Sequence, residues 1–165
     1  MLNYGAYSQI QFGYNTSNLA NSPLAESEKA LPDVIDLSAY DRTKTGTAEG
    51  ITYYGSNLIL ESQTTLRHFF VLEDGRDIND YTFKVNGSIV DPVRSGDYYY
   101  IEITGISASA LDTAYTVTVG GFTLDNYSAL TYAKLVLESP STNESLKNVT
   151  RALYLYNDAA NALFS

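Results

Sequence analysis

The feature that most limits the fold of this chain is a two-residue alternation of apolar and polar side chains between Ile51 and Leu124. Successive side chains of a β-strand point to opposite faces of a sheet, so the alternation indicates strands with one buried face. The alternating runs are separated by turn residues such as Asn86-Gly87, Ser95-Gly96 and Gly120-Gly121. Asn-Gly between two such runs is a strong hairpin signal, because both residues tolerate a positive φ. About seven short strands separated by turns are typical of an antiparallel β-sandwich.

The two ends of the chain follow the helical period instead. Leu2, Ala6 and Ile10 recur at four-residue spacing, and the apolar residues of 126–165 recur at steps of three and four. Such spacing gives a helix an apolar stripe that must pack on another surface. Residues 15–50 are rich in turn residues and indicate a long wrapping connection. We therefore predict an α+β fold, an antiparallel immunoglobulin-like β-sandwich of about seven strands flanked by N- and C-terminal helices.

The same pattern divides the chain into three parts that we expect to form one structural domain. Residues 1–50 hold the N-terminal helix and the wrapping connection, residues 51–125 the β-sandwich core, and residues 126–165 a C-terminal helical pair packed on the sandwich. A chain of 165 residues suits a single domain, because this length buries roughly two-thirds of the unfolded surface.

The N-terminal segment also echoes the end of the chain. When the first helical segment is aligned with the last, Tyr4 matches Tyr156 and Phe12 matches Phe164. A module whose opening repeats its own ending is typical of one unit of a tandem array. We therefore expect neighbouring modules of the same polypeptide to be its partners. Three alternatives are open for the first helix: it docks on the last helix of its own chain, it docks on a neighbouring chain, or it frays.

Composition excludes several classes of function. The chain has no cysteine, which excludes disulfides, thiolate metal sites and a cysteine nucleophile. The formal net charge is −9 and the ten basic residues are scattered, so we expect no nucleic acid partner, because phosphates are bound by clustered cations. No stretch approaches about 20 apolar residues, so we expect no membrane span. Abundant Tyr, Thr, Ser and Asn with few Lys favour a secreted or cell-surface location.

Several segments carry a resemblance to a known group of proteins. They are Met1-Leu2-Asn3-Tyr4-Gly5-Ala6-Tyr7, Tyr53-Tyr54-Gly55-Ser56, Asp80-Tyr81-Thr82-Phe83, Gly96-Asp97-Tyr98-Tyr99-Tyr100-Ile101, Tyr115-Thr116-Val117-Thr118-Val119-Gly120 and Ala152-Leu153-Tyr154-Leu155-Tyr156-Asn157. With them the chain resembles a C-terminal module of large secreted or cell-surface proteins of gut Clostridia, Gram-positive bacteria similar to Ruminococcus. The resemblance covers nearly the whole chain. It implies a module that follows other β-domains, repeats or enzymes, and it brings no catalytic residue to this chain.

Catalytic chemistry has little support in the residues themselves. Nucleophilic hydrolysis needs a base beside the nucleophile, and the only histidine is His68, on a strand face with Leu66 and Phe70. We expect a core or sheet-edge histidine and not a catalytic base. No Gly-x-Ser-x-Gly sequence presents a serine, and no two of the nineteen acidic residues stand out as a glycosidase pair. We therefore predict that the chain is not an enzyme and needs no cofactor.

The loop 73–80 is the best candidate for a metal site. Asp74, Asp77, Asn79 and Asp80 offer the oxygen ligands that Ca²⁺ prefers. Arg76 lies within the loop, however, and the spacing is not that of an EF-hand. Since Asp-Gly is also ordinary turn chemistry, calcium is kept only as a candidate ligand of these four residues.

Tyrosines supply the candidate ligand-binding residues. Tyr98 and Tyr100 share one face of a strand, and two rings about 7 Å apart suit stacking on a glycan if that face meets solvent. Tyr53 and Tyr54 are candidates to extend this platform. The alternative is that the helices cover this face and make the rings packing residues. The sequence therefore predicts a non-catalytic structural or accessory module, with a carbohydrate-binding or adhesion module that uses exposed tyrosines as the alternative.

Overall fold

The structure is a computed structural model that describes residues 1–60 and 63–164, without the side chain of Phe164. The described residues form four α-helices and nine β-strands. In chain order these are α1 Leu2–Phe12, α2 Glu26–Lys29, β1 Thr43–Thr45, β2 Ile51–Leu60, β3 Thr64–Leu72, β4 Phe83–Val85, β5 Ser88–Val90, β6 Val93–Ser95, β7 Tyr98–Ile106, β8 Tyr115–Val119, β9 Phe122–Tyr127, α3 Ala129–Glu138 and α4 Glu144–Phe164. Two antiparallel sheets with helices at both ends of the chain confirm the predicted α+β class.

The chain divides into two compact units. One consists of residues 1–39 and 133–165 and contains α1, α2 and α4, whereas the other consists of residues 40–132 and contains every described strand. Among the described residues, no helix is both long enough and apolar enough to cross a membrane. The single structural domain that we expected, with the helical pair packed on the sandwich, stays a prediction.

The strand unit is built from a five-stranded and a four-stranded sheet. Their strand orders are β1-β9-β8-β4-β5 and β2-β3-β7-β6, and all the pairings are antiparallel. Side chains from the two sheets pack on each other. The ring of Phe70 on β3 lies 5.2 Å from that of Phe83 on β4, and Tyr53 on β2 stacks 5.6 Å from Phe122 on β9. The core of this unit therefore lies between the sheets, as the alternating pattern predicted.

The strand count exceeds the predicted seven for two physical reasons. β1 lies in the segment assigned to the wrapping connection, and its residues Thr43–Thr45 are all exposed, so no apolar alternation reveals it. The segment between the turns Asn86-Gly87 and Ser95-Gly96, where the spacing of the turns suggests one strand, is divided between β5 and β6. Pro92 has no N–H with which to continue a ladder, and the chain passes there from one sheet to the other.

The turn chemistry inferred from the sequence is confirmed. Asn86 and Gly87 have positive φ values of 49° and 83° and join β4 to β5. Gly96 and Gly120 have φ values of 60° and 53° and lie in the connections from β6 to β7 and from β8 to β9. These hairpins fix the register of their strands, because the turn residues determine which residues lie opposite each other.

In the helical unit, α1 packs along α4 of the same chain. Tyr4 and Tyr156, the residues that match in the sequence echo, stack with their ring centroids 5.7 Å apart and their planes 13° apart. The segment after α1 is tied to this helix by a side-chain amide. Gln9 Nε2 donates to the backbone carbonyls of Asn15 and Asn18, at 3.2 and 3.1 Å. Side-chain hydrogen bonds therefore hold a connection that has little secondary structure of its own.

Candidate functional site

The outer face of the four-stranded sheet carries a cluster of aromatic side chains. Residues directly opposite each other in an antiparallel pair project on the same face. The register of β3 and β7 pairs Phe69 with Tyr100 and Val71 with Tyr98. Phe70, the neighbour of Phe69, is buried between the sheets, so this set projects outward. We call Tyr54, Phe69, Tyr98 and Tyr100 the outer aromatic face.

A β-bulge in β2 brings Tyr54 to this face. The register shifts between Tyr53 and Gly55, so that Tyr54 and Gly55 together lie opposite Phe69. Tyr53 and Ser56 on either side of the bulge then project inward. Tyr54 projects outward, where 67% of its surface is exposed.

The rings of the outer aromatic face form one contiguous cluster. Tyr54 and Tyr98 have centroids 4.7 Å apart with planes inclined at 49°. Phe69 meets Tyr98 edge-on at 6.4 Å, and it lies 5.5 Å from Tyr100 at an inclination of 45°. Since the planes are inclined to one another, the rings of Tyr54, Phe69 and Tyr98 form a corner and not a flat platform.

A cavity of about 410 Å³ opens beside these rings. Its lining residues are Tyr54, Gly55, Ser56, Asn57, Phe69 and Tyr98. A Cβ atom added at Gly55 would meet no other atom within 4 Å, so the glycine leaves this part of the cavity open. The Oδ1 atom of Asn57 is buried and has no hydrogen-bond partner. The volume falls in the lower part of the range of roughly 300–1,000 Å³ for small-molecule pockets.

Charges near the face are largely paired. Arg67 donates from Nε to Glu102 Oε1 at 2.5 Å, and its guanidinium carbon lies 4.6 Å from the centroid of the Tyr100 ring. This cation–π contact and the ion pair hold Tyr100 in place.

A hydrogen bond with the Tyr54 side chain raises the pKa of Tyr98, and the charge of Asp97 acts in the same direction.

Three of the four tyrosines selected from the sequence lie on this face. Tyr54, Tyr98 and Tyr100 are brought together, whereas Tyr53 projects between the sheets. The hydroxyl of Tyr53 lies 2.7 Å from Ser56 Oγ, and burial raises the pKa of Tyr53. Tyr53 therefore belongs to the core side of β2.

Sequence reasoning missed four residues that line the cavity. They are Gly55, Ser56, Asn57 and Phe69. The alternation along β3 was a usable signal for Phe69, because it set this residue on the face opposite to that of the buried residues. Gly55 and Asn57 had no such signal, since the bulge breaks the alternation between them and Tyr53.

The structure does not gather the candidate metal ligands. Asp77 Oδ1 accepts hydrogen bonds from the backbone N–H and the side-chain amide of Asn79, at 2.9 and 2.8 Å, and caps the short 3-10 turn Ile78–Asp80. Within residues 1–60 and 63–164, no group of three or more His, Cys, Asp or Glu side chains could hold a metal ion. Calcium binding by Asp74, Asp77, Asn79 and Asp80 stays a prediction.

The only histidine of the chain lies in the core between the sheets. His68 has no exposed surface, and its Nδ1 lies 2.6 Å from Ser56 Oγ. The ring of Tyr127 packs edge-on at 4.9 Å. Burial and, to a smaller extent, the charge of Arg42 lower the pKa of His68 from 6.5 to about 4. A serine beside an imidazole begins a hydrolytic dyad, but this imidazole offers no surface to a substrate.

Taken together, the outer aromatic face has the attributes of a noncovalent binding site. It combines the exposed ring of Tyr54, the half-buried ring of Tyr98, a cavity, and an amide oxygen with no partner. Comparison with known proteins gives no matching family model, no similar curated protein and no similar solved structure.

Proposed function

We propose that the chain is a non-catalytic accessory module that binds carbohydrate through the outer aromatic face. The observation that carries this proposal is the contact between the exposed Tyr54 ring and the half-buried Tyr98 ring beside the cavity at Gly55. Aromatic rings offer an apolar face to the C–H groups of a sugar ring, while nearby amides and hydroxyls bind its hydroxyl groups. A contiguous aromatic patch on the outer face of a sheet is typical of an interaction site.

We further propose that the module belongs to a secreted or cell-surface protein of a Gram-positive gut bacterium, beside neighbouring modules of the same polypeptide. The resemblance of its segments to such proteins supports this location. Two of the resembling segments, residues 53–56 and 96–101, contain Tyr54, Gly55, Tyr98 and Tyr100 of the site. A module at the cell surface would meet plant and mucin glycans.

Affinity electrophoresis in native gels that contain plant or mucin polysaccharides tests this function. The wild-type chain is expected to be retarded by at least one of these polysaccharides. Replacing both of these rings, Tyr54→Ala with Tyr98→Ala, should abolish the retardation. Tyr14→Ala is the matched control, because Tyr14 is 73% exposed and lies in the other unit, and it should be retarded like the wild type.

The other candidate function is a structural or spacer module without a ligand. The pairing of α1 with α4, in which Tyr4 stacks on Tyr156, favours this function because it joins the two segments that echo each other. It predicts no retardation of the wild type on any polysaccharide. Equal retardation of the wild type and the double variant would instead place carbohydrate binding outside the outer aromatic face.

A further inference from the structure

We propose that the cavity beside Gly55 is a pocket for a single uncharged sugar ring, so that the module recognises a neutral monosaccharide unit and does not bind along a charged polysaccharide. This inference rests on the proposed function and names the ligand class of the same site. Its support comes from the shape of the cavity, the polar group in its wall and the charges around it.

The aromatic walls stand at angles that enclose one ring. The planes of Tyr54 and Tyr98 are inclined at 49°, and Phe69 meets Tyr98 at 89°. A platform beneath a row of sugar units would need rings that are nearly coplanar, whereas inclined rings contact different sides of one occupant. The volume of about 410 Å³ also suits a small ligand, since it lies in the lower part of the usual range.

Gly55 keeps the cavity open although its backbone does not require a glycine. Its φ lies outside the left-handed region, and an added Cβ would contact nothing within 4 Å. Neither a left-handed backbone nor a steric clash therefore requires a glycine at this position. A glycine within a strand commonly marks a β-bulge, as here, or a place where another molecule approaches the backbone closely.

Asn57 supplies a polar group that the protein leaves unsatisfied. Its buried Oδ1 has no partner, although buried polar atoms are ordinarily hydrogen-bonded. Asn57 lines the cavity, and its amide carries both an acceptor and a donor, which a sugar hydroxyl matches because it accepts and donates. A purely apolar ligand would leave this amide unpaired, which disfavours it.

The charges around the cavity favour a ligand without charge. Arg67 is already engaged by Glu102, and Asp97 precedes Tyr98 in the wall. The whole chain carries a formal charge of −9. A carboxylate or sulfate group on the sugar would therefore meet a negative field, whereas a neutral hexose or pentose would not.

Isothermal titration calorimetry on the full chain tests this inference. The ligands are the methyl glycosides of glucose, galactose, mannose and xylose, with glucuronic and galacturonic acid as charged counterparts. We expect at least one neutral glycoside to bind about tenfold or more tightly than either uronic acid.

Two variants test whether binding depends on the cavity itself or on the surrounding face of the sheet. Gly55→Leu fills the cavity and should weaken binding of the neutral glycoside about tenfold or more. Thr52→Leu is the matched control, because Thr52 is an exposed residue on the same face of β2 that does not line the cavity, and it should bind like the wild type. If Gly55→Leu does not fold, Asn57→Ala provides a second test with the same expected loss.

The outcomes distinguish this inference from the proposed function. If Gly55→Leu and Asn57→Ala bind as well as the wild type while Tyr54→Ala with Tyr98→Ala does not, the pocket is overturned and carbohydrate binding stands. Binding of polysaccharides without binding of any methyl glycoside overturns the single-ring pocket in the same way. A preference for the uronic acids overturns the neutral ligand class. If the wild type binds neither monosaccharides nor polysaccharides, both proposals fail.

Discussion

Residues at the bulge in β2 divide their roles between the two faces of the four-stranded sheet. Tyr53 and Ser56 project inward and join the buried His68, whereas Tyr54 and Gly55 shape the outer aromatic face. Without the bulge, strict alternation would turn Ser56 outward and Gly55 inward. One extra residue therefore lets a short segment supply both a core hydrogen-bond network and part of a candidate site.

The burial of His68 makes the stability of the fold depend on pH. Its pKa is about 4 in the folded chain and 6.5 when unperturbed, so between these values the unfolded chain binds the proton more readily. The contribution of His68 is complete above pH 6.5 and is lost as the pH falls towards 4, by about 3 kcal/mol in total. Urea unfolding at neutral and at mildly acidic pH measures this loss.

The matched control for this pH dependence is His68→Gln, which cannot titrate and keeps an amide near Ser56. Its free energy of unfolding should fall less than that of the wild type over the same pH range. Parallel pH profiles for the two proteins would contradict the assignment of a neutral, buried imidazole.

Ser56 is the residue on which the core network depends. Its Oγ lies 2.7 Å from the Tyr53 hydroxyl and 2.6 Å from His68 Nδ1, so Ser56→Ala removes the partner of His68 Nδ1 and leaves the Tyr53 hydroxyl with the longer hydrogen bond from Arg42 Nη1, at 3.4 Å. We expect a loss of about 1–3 kcal/mol in the free energy of unfolding, because a buried polar group is left unpaired. Ser88→Ala, at an exposed strand residue, should stay within about 0.5 kcal/mol of the wild type in the same urea titration. Equal stabilities of the two variants would contradict the network.

At the scale of the elements, Gly55 and Gly87 allow the loss of stability caused by an unfavourable backbone conformation to be measured separately from the loss caused by a steric clash. An added Cβ meets nothing within 4 Å at either Gly55 or Gly87, but only Gly87 has a positive φ, 83° in the hairpin from β4 to β5. Gly87→Ala should therefore lower stability by about 1 kcal/mol or more, whereas Gly55→Ala should be neutral or stabilising by up to about 1 kcal/mol. Thermal unfolding of both variants measures the difference. A larger loss for Gly55→Ala would contradict the conformation described for β2.

Individual strands and turns also show which parts of this fold and of this site the sequence predicts. Alternation predicted the strands that have one buried face, and Asn86-Gly87 predicted its hairpin, because local chemistry determines both. β1 escaped prediction because an exposed edge strand such as Thr43–Thr45 owes its existence to a partner distant in sequence, β9. The bulge in β2 was not predicted for a similar reason, because the register that reveals it depends on the pairing with β3. Tyr53 and Tyr54 were both candidates to extend the tyrosine platform, and the pairing of β2 with β3 places them on opposite faces.

At the scale of the whole molecule, the acidic character of the chain sets the salt dependence of binding. The formal charge of −9 repels anionic ligands at long range, whereas a neutral sugar has no charge to be screened. We therefore expect the affinity for a neutral glycan to change by less than about twofold when NaCl is raised from roughly 0.05 to 0.5 M. Calorimetric titrations at both salt concentrations measure the change, and a steep loss of affinity at high salt would contradict a neutral ligand.

The most direct test of carbohydrate binding at the outer aromatic face is a titration of the ¹⁵N-labelled chain with the glycan that retards it most, followed by two-dimensional NMR. The largest shifts are predicted at the backbone amides of the residues that line the cavity, namely Tyr54, Gly55, Ser56, Asn57, Phe69 and Tyr98. Shifts centred on residues 1–39 and 133–165, or on the loop 73–80, would contradict the account, as would spectra that do not change at saturating glycan.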